Sequence, residues 1–294
     1  MRVLKLVLCG LVLVILGGCR QVVPQASLAR EVDSAPSTEV VITPEVGALP
    51  DLPGGLKLEE HLLVDAPSTE PLTFKPAEGT QAEILAVHAD VRGLGAHRYT
   101  FDSGYSAEGQ HQMVYGLSGM PFSAVEISHN ATETIATEPW GTREVRVMRG
   151  DEPIYSVQAG HNSPYNSFQG LWAYDERWVL EIAHVVESLV LDSNEVSADV
   201  TGMVIDNGVL LNDEHGYDEA FGFQLIAGRP FYFFERAGSV GIAYAGQAVD
   251  LGYTRILHYG CCSSSELNPL QSETMVAFFA QRDAAWYYVE LGAF

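Results

Sequence analysis

The segment His258-Tyr259-Gly260-Cys261-Cys262-Ser263-Ser264-Ser265 concentrates the most reactive side chains of the chain. Two adjacent thiols admit three arrangements. In an oxidising compartment Cys261 and Cys262 can close a vicinal disulfide, a small strained ring that stiffens a turn and is reduced more easily than a relaxed bridge. With His258 they can form a soft-metal site, although structural zinc takes four ligands, usually from separated cysteine pairs, and no second pair exists here. In the third arrangement they are two small reduced residues packed in a loop. Adjacency favours the disulfide. A thiol nucleophile ranks last, because no Cys-His family signature surrounds the pair.

Other chemistry-bearing residues are scattered. His61, His88, His97, His111, His129, His161, His184 and His215 show no ligand spacing, and no Gly-x-Ser-x-Gly elbow, Walker loop or dinucleotide fingerprint occurs. The run Asn212-Asp213-Glu214-His215-Gly216-Tyr217-Asp218-Glu219 gathers oxygen donors around a glycine, yet it lacks the alternating spacing and closing glutamate of a calcium loop. It reads as a solvated loop between hairpins. No cofactor is expected. Aromatic runs are the remaining signal: Phe231-Tyr232-Phe233-Phe234 and Trp286-Tyr287-Tyr288 put rings on both faces of a strand. Core on both faces is the simpler reading. The sharper one is an aromatic platform for carbohydrate or peptide, with Trp172, Trp178, Trp286 and Tyr288 as the candidate ligand-binding residues.

The first nineteen residues address the chain to a compartment. Arg2 and Lys5 precede an apolar run from Leu6 to Leu16, and Leu16-Gly17-Gly18-Cys19 closes it. A charged start, a short apolar stretch and small residues before a cut describe a secretory signal, too short to span a bilayer comfortably. Leu16-Gly17-Gly18-Cys19 resembles the lipobox of bacterial lipoprotein precursors, departing from it at Gly17, where Ala, Ser or Thr is more usual. The resemblance covers only the leader. It implies a signal peptide over 1–18, cleavage before Cys19, and a diacylglyceryl group on the Cys19 thiol that anchors the protein in a lipid bilayer. The implied location is the cell envelope, outside the cytoplasm.

Charge and cysteine usage fit that address. The full chain carries −22, and loss of Arg2 and Lys5 with the leader takes it to −24. Such a field repels phosphate backbones, so nucleic acid is not an expected partner. The acids are dispersed, as suits the solubility of an exported domain. With Cys9 in the leader and Cys19 lipidated, only Cys261 and Cys262 remain, and no disulfide framework can hold the fold.

Residues 19–55 are rich in Pro, Ser and acid without sustained periodicity, which predicts a flexible tether between anchor and domain. Residues 56–294 are expected to form an all-β domain, with sub-units at about 83–190 and 200–294. Short apolar stretches at 83–89, 91–101, 112–115, 122–127, 143–148, 154–157, 171–174 and 178–183 alternate with turn residues. Asn207-Gly208 is the strongest hairpin signal, because it supplies the positive φ angles of a type I′ turn. Further hairpins are predicted at Ala227-Gly228, Ala245-Gly246 and Arg282-Asp283-Ala284. Short helices are predicted at 181–190 and 217–221. The expected architecture is a sandwich, an open barrel or a small propeller-like array of antiparallel hairpins. Residues 145–155 align with 223–232, and 171–181 with 277–290, which suggests an internal duplication whose units end in Trp, one or two residues, Val or Leu, then Glu.

These readings predict an envelope lipoprotein with a binding or interaction role towards an unidentified envelope ligand or protein. The alternative is an extracytoplasmic hydrolase acting on glycans through carboxylates brought together in space.

Overall fold

The computed structural model describes residues 51–64, 100–105, 111–117, 119–129, 140–190, 196–259, 269–271 and 273–293. All lie within one compact unit, Val46–Phe294. The described chain is all-β and sandwich-like, with its strands in three sheets and no closed barrel. The expected strand at 83–89, Cys19, Cys261 and Cys262 lie outside the described residues, as does most of 91–101.

A nine-stranded sheet holds the first half. One limb is an antiparallel meander of β2 (Thr100–Tyr105), β3 (His111–Gly116), β4 (Phe122–His129), β5 (Thr142–Arg149) and β6 (Glu152–His161). The other limb comprises β7 (Phe168–Tyr174), β8 (Arg177–Leu189), β9 (Val196–Asp206) and the short β10 (Val209–Leu210). The limbs meet at a single parallel bridge, Gly160 to Val185. Gly160 has φ 86°, and a Cβ there would stand 2.0 Å from the Val185 carbonyl oxygen, so only glycine fits. The sheet folds over a core of Tyr115, Phe122, Val145, Val147, Leu171, Trp178, Leu180 and Ile182.

The second half supplies two more sheets. After helix α1 (Leu211–His215) comes a four-stranded meander of β11 (Glu219–Ile226), β12 (Arg229–Arg236), β13 (Ser239–Tyr244) and β14 (Gln247–Tyr253). The third sheet contains β15 (Arg255–Ile256), β16 (Leu270–Gln271), β17 (Met275–Arg282) and β18 (Ala285–Gly292), and β1 (Lys57–Val64) adds to it by pairing with β18. Alternation along β12 fills two cores. Phe231 and Phe233 pack towards Phe278, Val289 and Leu291 of the third sheet, while Tyr232 and Phe234 pack with Trp172, Val179 and Val204 of the first. Core on both faces is therefore what the aromatic run builds.

The hairpin turns follow local chemistry. Asn207-Gly208, Ala227-Gly228 and Ala245-Gly246 each take positive φ at both central residues, between 49° and 93°, which matches the twist of the strands they join. Asp283-Ala284 closes β17 onto β18 in the same way without a glycine, as does Asp175-Glu176 between β7 and β8.

Two helix expectations are corrected. Residues 181–189 belong to β8, whose apolar run reflects burial on both faces rather than helical period. Of 217–221, the last three residues begin β11; the helical turn lies earlier, at Leu211–His215, and ends on Gly216 with φ 66°. The aligned repeats are all hairpins, but they are arranged differently: β5–β6 and β7–β8 share one sheet, whereas β11–β12 and β17–β18 lie in separate sheets. Within the stretch read as tether, the described residues include the turn Pro53–Gly55, in which Pro53 is buried. Glu60 of β1 then accepts hydrogen bonds from Arg282 and the Tyr253 hydroxyl, each at 2.6 Å.

Candidate functional site

Where β8 crosses beneath β11, a carboxylate lies inside the protein. Trp178, Leu180 and Ile182 of β8 face the first core, so the intervening Val179 and Glu181 face β11. Glu181 is 3% exposed. Its binding partner is a bulge: between Phe221 and Gln224, two residues of β11 oppose the single Tyr232 of β12. Gly222 takes φ 65° there, as the first residue of such a bulge commonly does. The bulge turns two main-chain N–H groups out of the ladder, and Glu181 accepts both, Gly222 N–H on Oε1 at 2.8 Å and Phe223 N–H on Oε2 at 2.7 Å. The Tyr259 hydroxyl donates a third hydrogen bond to Oε1.

The neighbouring groups extend this into a cluster. Glu219 Oε1 accepts the Gly202 N–H at 2.5 Å and lies 3.0 Å from His258 Nε2. His258 Nδ1 lies 2.8 Å from the Ile256 carbonyl oxygen, and its ring stacks on Phe221 with centroids 3.7 Å apart. Gly202 is required at this crossing, because a Cβ would stand 2.6 Å from the Ala220 carbonyl oxygen and 3.0 Å from the Tyr259 ring. Burial pushes the Glu181 carboxyl above its usual range, with Tyr259, the two amides and His258 acting the other way. Burial and the charge of Glu181 hold the Tyr259 hydroxyl far above its ordinary range. Glu235 is raised by burial, then by Glu219 and Asp218.

Chemically, the cluster fastens strands. Both Glu181 oxygens are engaged, the group is closed to solvent, and a glycoside-cleaving acid needs to reach its substrate's leaving oxygen. Both ring nitrogens of His258 lie within hydrogen-bond distance of protein oxygens, those of the Ile256 carbonyl and Glu219. Among the described residues no group of three metal-capable side chains occurs. In the acidic run, Asn212 is buried and bridges β9, accepting the Val204 N–H and donating to the Gly202 carbonyl, and Asp218 accepts the Ala237 N–H at 2.8 Å.

The candidate aromatic platform is dispersed into the interior. Trp172, Trp178, Trp286 and Tyr288 are 3–6% exposed. Trp178 packs on Tyr155, Trp172 meets the edge of Phe223, and Tyr288 packs on Phe279 while donating to Glu290. All four side chains are buried.

A second buried polar site lies under the first limb. Arg143 Nη1 donates to the Tyr165 carbonyl and Ser167 Oγ, and Nη2 to the Ser163 carbonyl and Asn162 Oδ1. Its Nε lies 3.6 Å from Glu126, which itself accepts the Phe168 N–H. Sequence reasoning missed this site and Glu181 alike. The available signal for Glu181 was a lone acid inside the apolar run from Trp178 to Ala183. No protein-family model matches the chain, and neither do any of the curated proteins or solved structures searched.

Proposed function

We propose that the protein is a membrane-anchored envelope lipoprotein whose β domain serves binding or interaction rather than catalysis. The leader ending in Leu16-Gly17-Gly18-Cys19 carries this reading. It is supported by the work that the buried polar groups do: Glu181, Glu126, Arg143 and Asn212 are spent on holding main-chain groups. The acidic composition suits a domain held off a membrane surface, since it is repelled by anionic headgroups. A lipid tether keeps such a domain at high local concentration beside envelope partners.

The test is acylation with fractionation. Cells expressing the native chain and Cys19→Ala are labelled with a traceable fatty acid, and envelope and soluble fractions are separated. The native protein is expected in the envelope, labelled, with an N-terminal peptide beginning at acylated Cys19. Cys19→Ala is expected unlabelled, as unprocessed precursor or as released protein. A mature native protein beginning elsewhere and lacking acyl mass defeats the reading. Photo-crosslinking in intact envelopes addresses the second half of the proposal, and the absence of any specific adduct counts against a binding role.

A further inference from the structure

β9 carries an open edge. It pairs with β8 from Asp206 to Val196 without a register shift, while β10 covers only Asp206 and Ile205 on the other side. Next along, the Gly202 and Val204 N–H groups donate to the Glu219 and Asn212 side chains, and the Gly202 carbonyl accepts from Asn212. These even-numbered residues therefore turn their main-chain groups away from β8, and alternation carries the same orientation to Val200, Ala198 and Val196. Among the described residues no strand meets the N–H and carbonyl groups of those three. The opposite edge of the hairpin is closed at this level, because Glu187, which faces Ala198, donates its N–H to His161 Nδ1 at 2.9 Å. We propose that Val196–Val200 is where a second copy of the chain adds its own β9, antiparallel about a two-fold axis through Ala198.

Edge strands are usually guarded by lysine, proline or a bulge. Val196-Ser197-Ala198-Asp199-Val200-Thr201 has no lysine and no proline, its ladder has no bulge, and half of it is β-branched. The hairpin is also apolar and exposed on both faces. Val186 lies on the face of Trp178 and Ile182, beyond the core they enter, while Leu189 and its cross-strand partner Val196 are 63% and 49% exposed on the other. An added strand extends both faces and satisfies the free main-chain groups. Charge selects the register. With the axis through Ala198, Val196 opposes Val200 of the second copy and Ser197 opposes Asp199, so no acids stand face to face. Moving the axis to Asp199 opposes the two aspartates and brings Val196 of the second copy against Gly202, whose N–H Glu219 already holds. The paired stretch ends before Gly202, so the crossing of β11 is untouched. Such an isologous contact closes as a dimer. It goes beyond the binding role proposed above and does not depend on acylation of Cys19.

Charge exchange at the axis tests this. Sedimentation velocity of the purified protein is expected to show a concentration-dependent dimer, strengthened by added salt because both copies are acidic. Ala198→Lys and Ala198→Asp each set like charges face to face across the axis, and each should weaken dimerisation about fivefold or more. An equal mixture of the two should recover it, since opposite charges then meet. Should either charge prevent folding, as circular dichroism would reveal, paired cysteine variants decide, with Cys261 and Cys262 changed to Ser in both. Ala198→Cys should form an interchain disulfide under mild oxidation, because opposed hydrogen-bonded positions stand about 5.5 Å apart at Cα. Ser197→Cys lies two positions from its own copy and should cross-link far less. A native protein that stays monomeric up to about 1 mM, a dimer indifferent to both charges, or equal cross-linking from the two cysteine variants overturns the proposal. A monomer that instead takes a foreign extended peptide at this edge overturns it too.

Discussion

Glu126 and Glu181 are both buried carboxylates that accept main-chain N–H groups at sheet irregularities, yet their burial is balanced differently. Glu126 takes the Phe168 N–H at 3.1 Å, where β7 enters its pairing with β8, and it faces the Arg143 guanidinium. Glu181 receives two bulge amides and a tyrosine hydroxyl, with no cation in bonding contact among the described residues. One site is a salt bridge whose cation is largely committed to a loop; the other is a set of dipoles converging on a charge. Burial dominates at Glu181 and raises its carboxyl, outweighing the hydrogen bonds and the charge of His258 that act the other way. A buried acid without a counter-ion thus locates a structural lock here, in a position where it would otherwise suggest catalysis.

The comparison breaks most visibly at the cation. Arg143→Met strands Glu126 and removes the donors that hold 162–167, so a loss of about 3–5 kcal/mol is expected in urea unfolding. Changing Glu126 to Gln in the same protein should recover part of that loss, because the uncompensated charge is gone. A cost near zero for Arg143→Met would mean that the guanidinium does not balance Glu126. At the other site, Glu181→Gln turns an amide donor towards one of the donors it faces, and about 1–3 kcal/mol should be lost. Tyr259→Phe removes one donor of three and should cost about 1 kcal/mol. If it instead costs as much as Glu181→Gln, the bulge amides contribute little and the tyrosine is the true partner.

What the sequence made legible was local. Asn207-Gly208, Ala227-Gly228 and Ala245-Gly246 announced their turns because the positive φ they require depends on two residues alone. The β8 run was read in part as helix because a strand buried on both faces has no period of two. The carboxylate sites were hidden for a different reason. Glu181 meets Gly222, Phe223 and Tyr259 at separations of 41, 42 and 78 residues, and the bulge that frees the amides arises only when β11 pairs with β12. An acid in an apolar run signals that a partner exists without naming it.

A third carboxylate sharpens the contrast through its sign. Glu144 has what Glu181 lacks: Arg146 donates to both of its oxygens, at 2.6 and 3.0 Å, and the Ser156 hydroxyl donates as well. Those bonds, Arg146 first, outweigh burial and hold its carboxyl down to about 2, from an ordinary 4.5. Its stabilisation is complete above the ordinary value and is lost as pH falls from 4.5 towards about 2. Glu181 runs the other way. Its carboxyl is raised, so the folded state binds the proton more readily than the unfolded chain does, and the group adds stability as pH falls towards the ordinary carboxylate range. The difference in unfolding free energy between native protein and Glu144→Gln should therefore shrink on acidification below that range. The difference for Glu181→Gln should grow on acidification from neutrality towards it. Urea unfolding of both variants across that span measures the two slopes, and slopes of the same sign would show that Glu181 has a counter-charge after all.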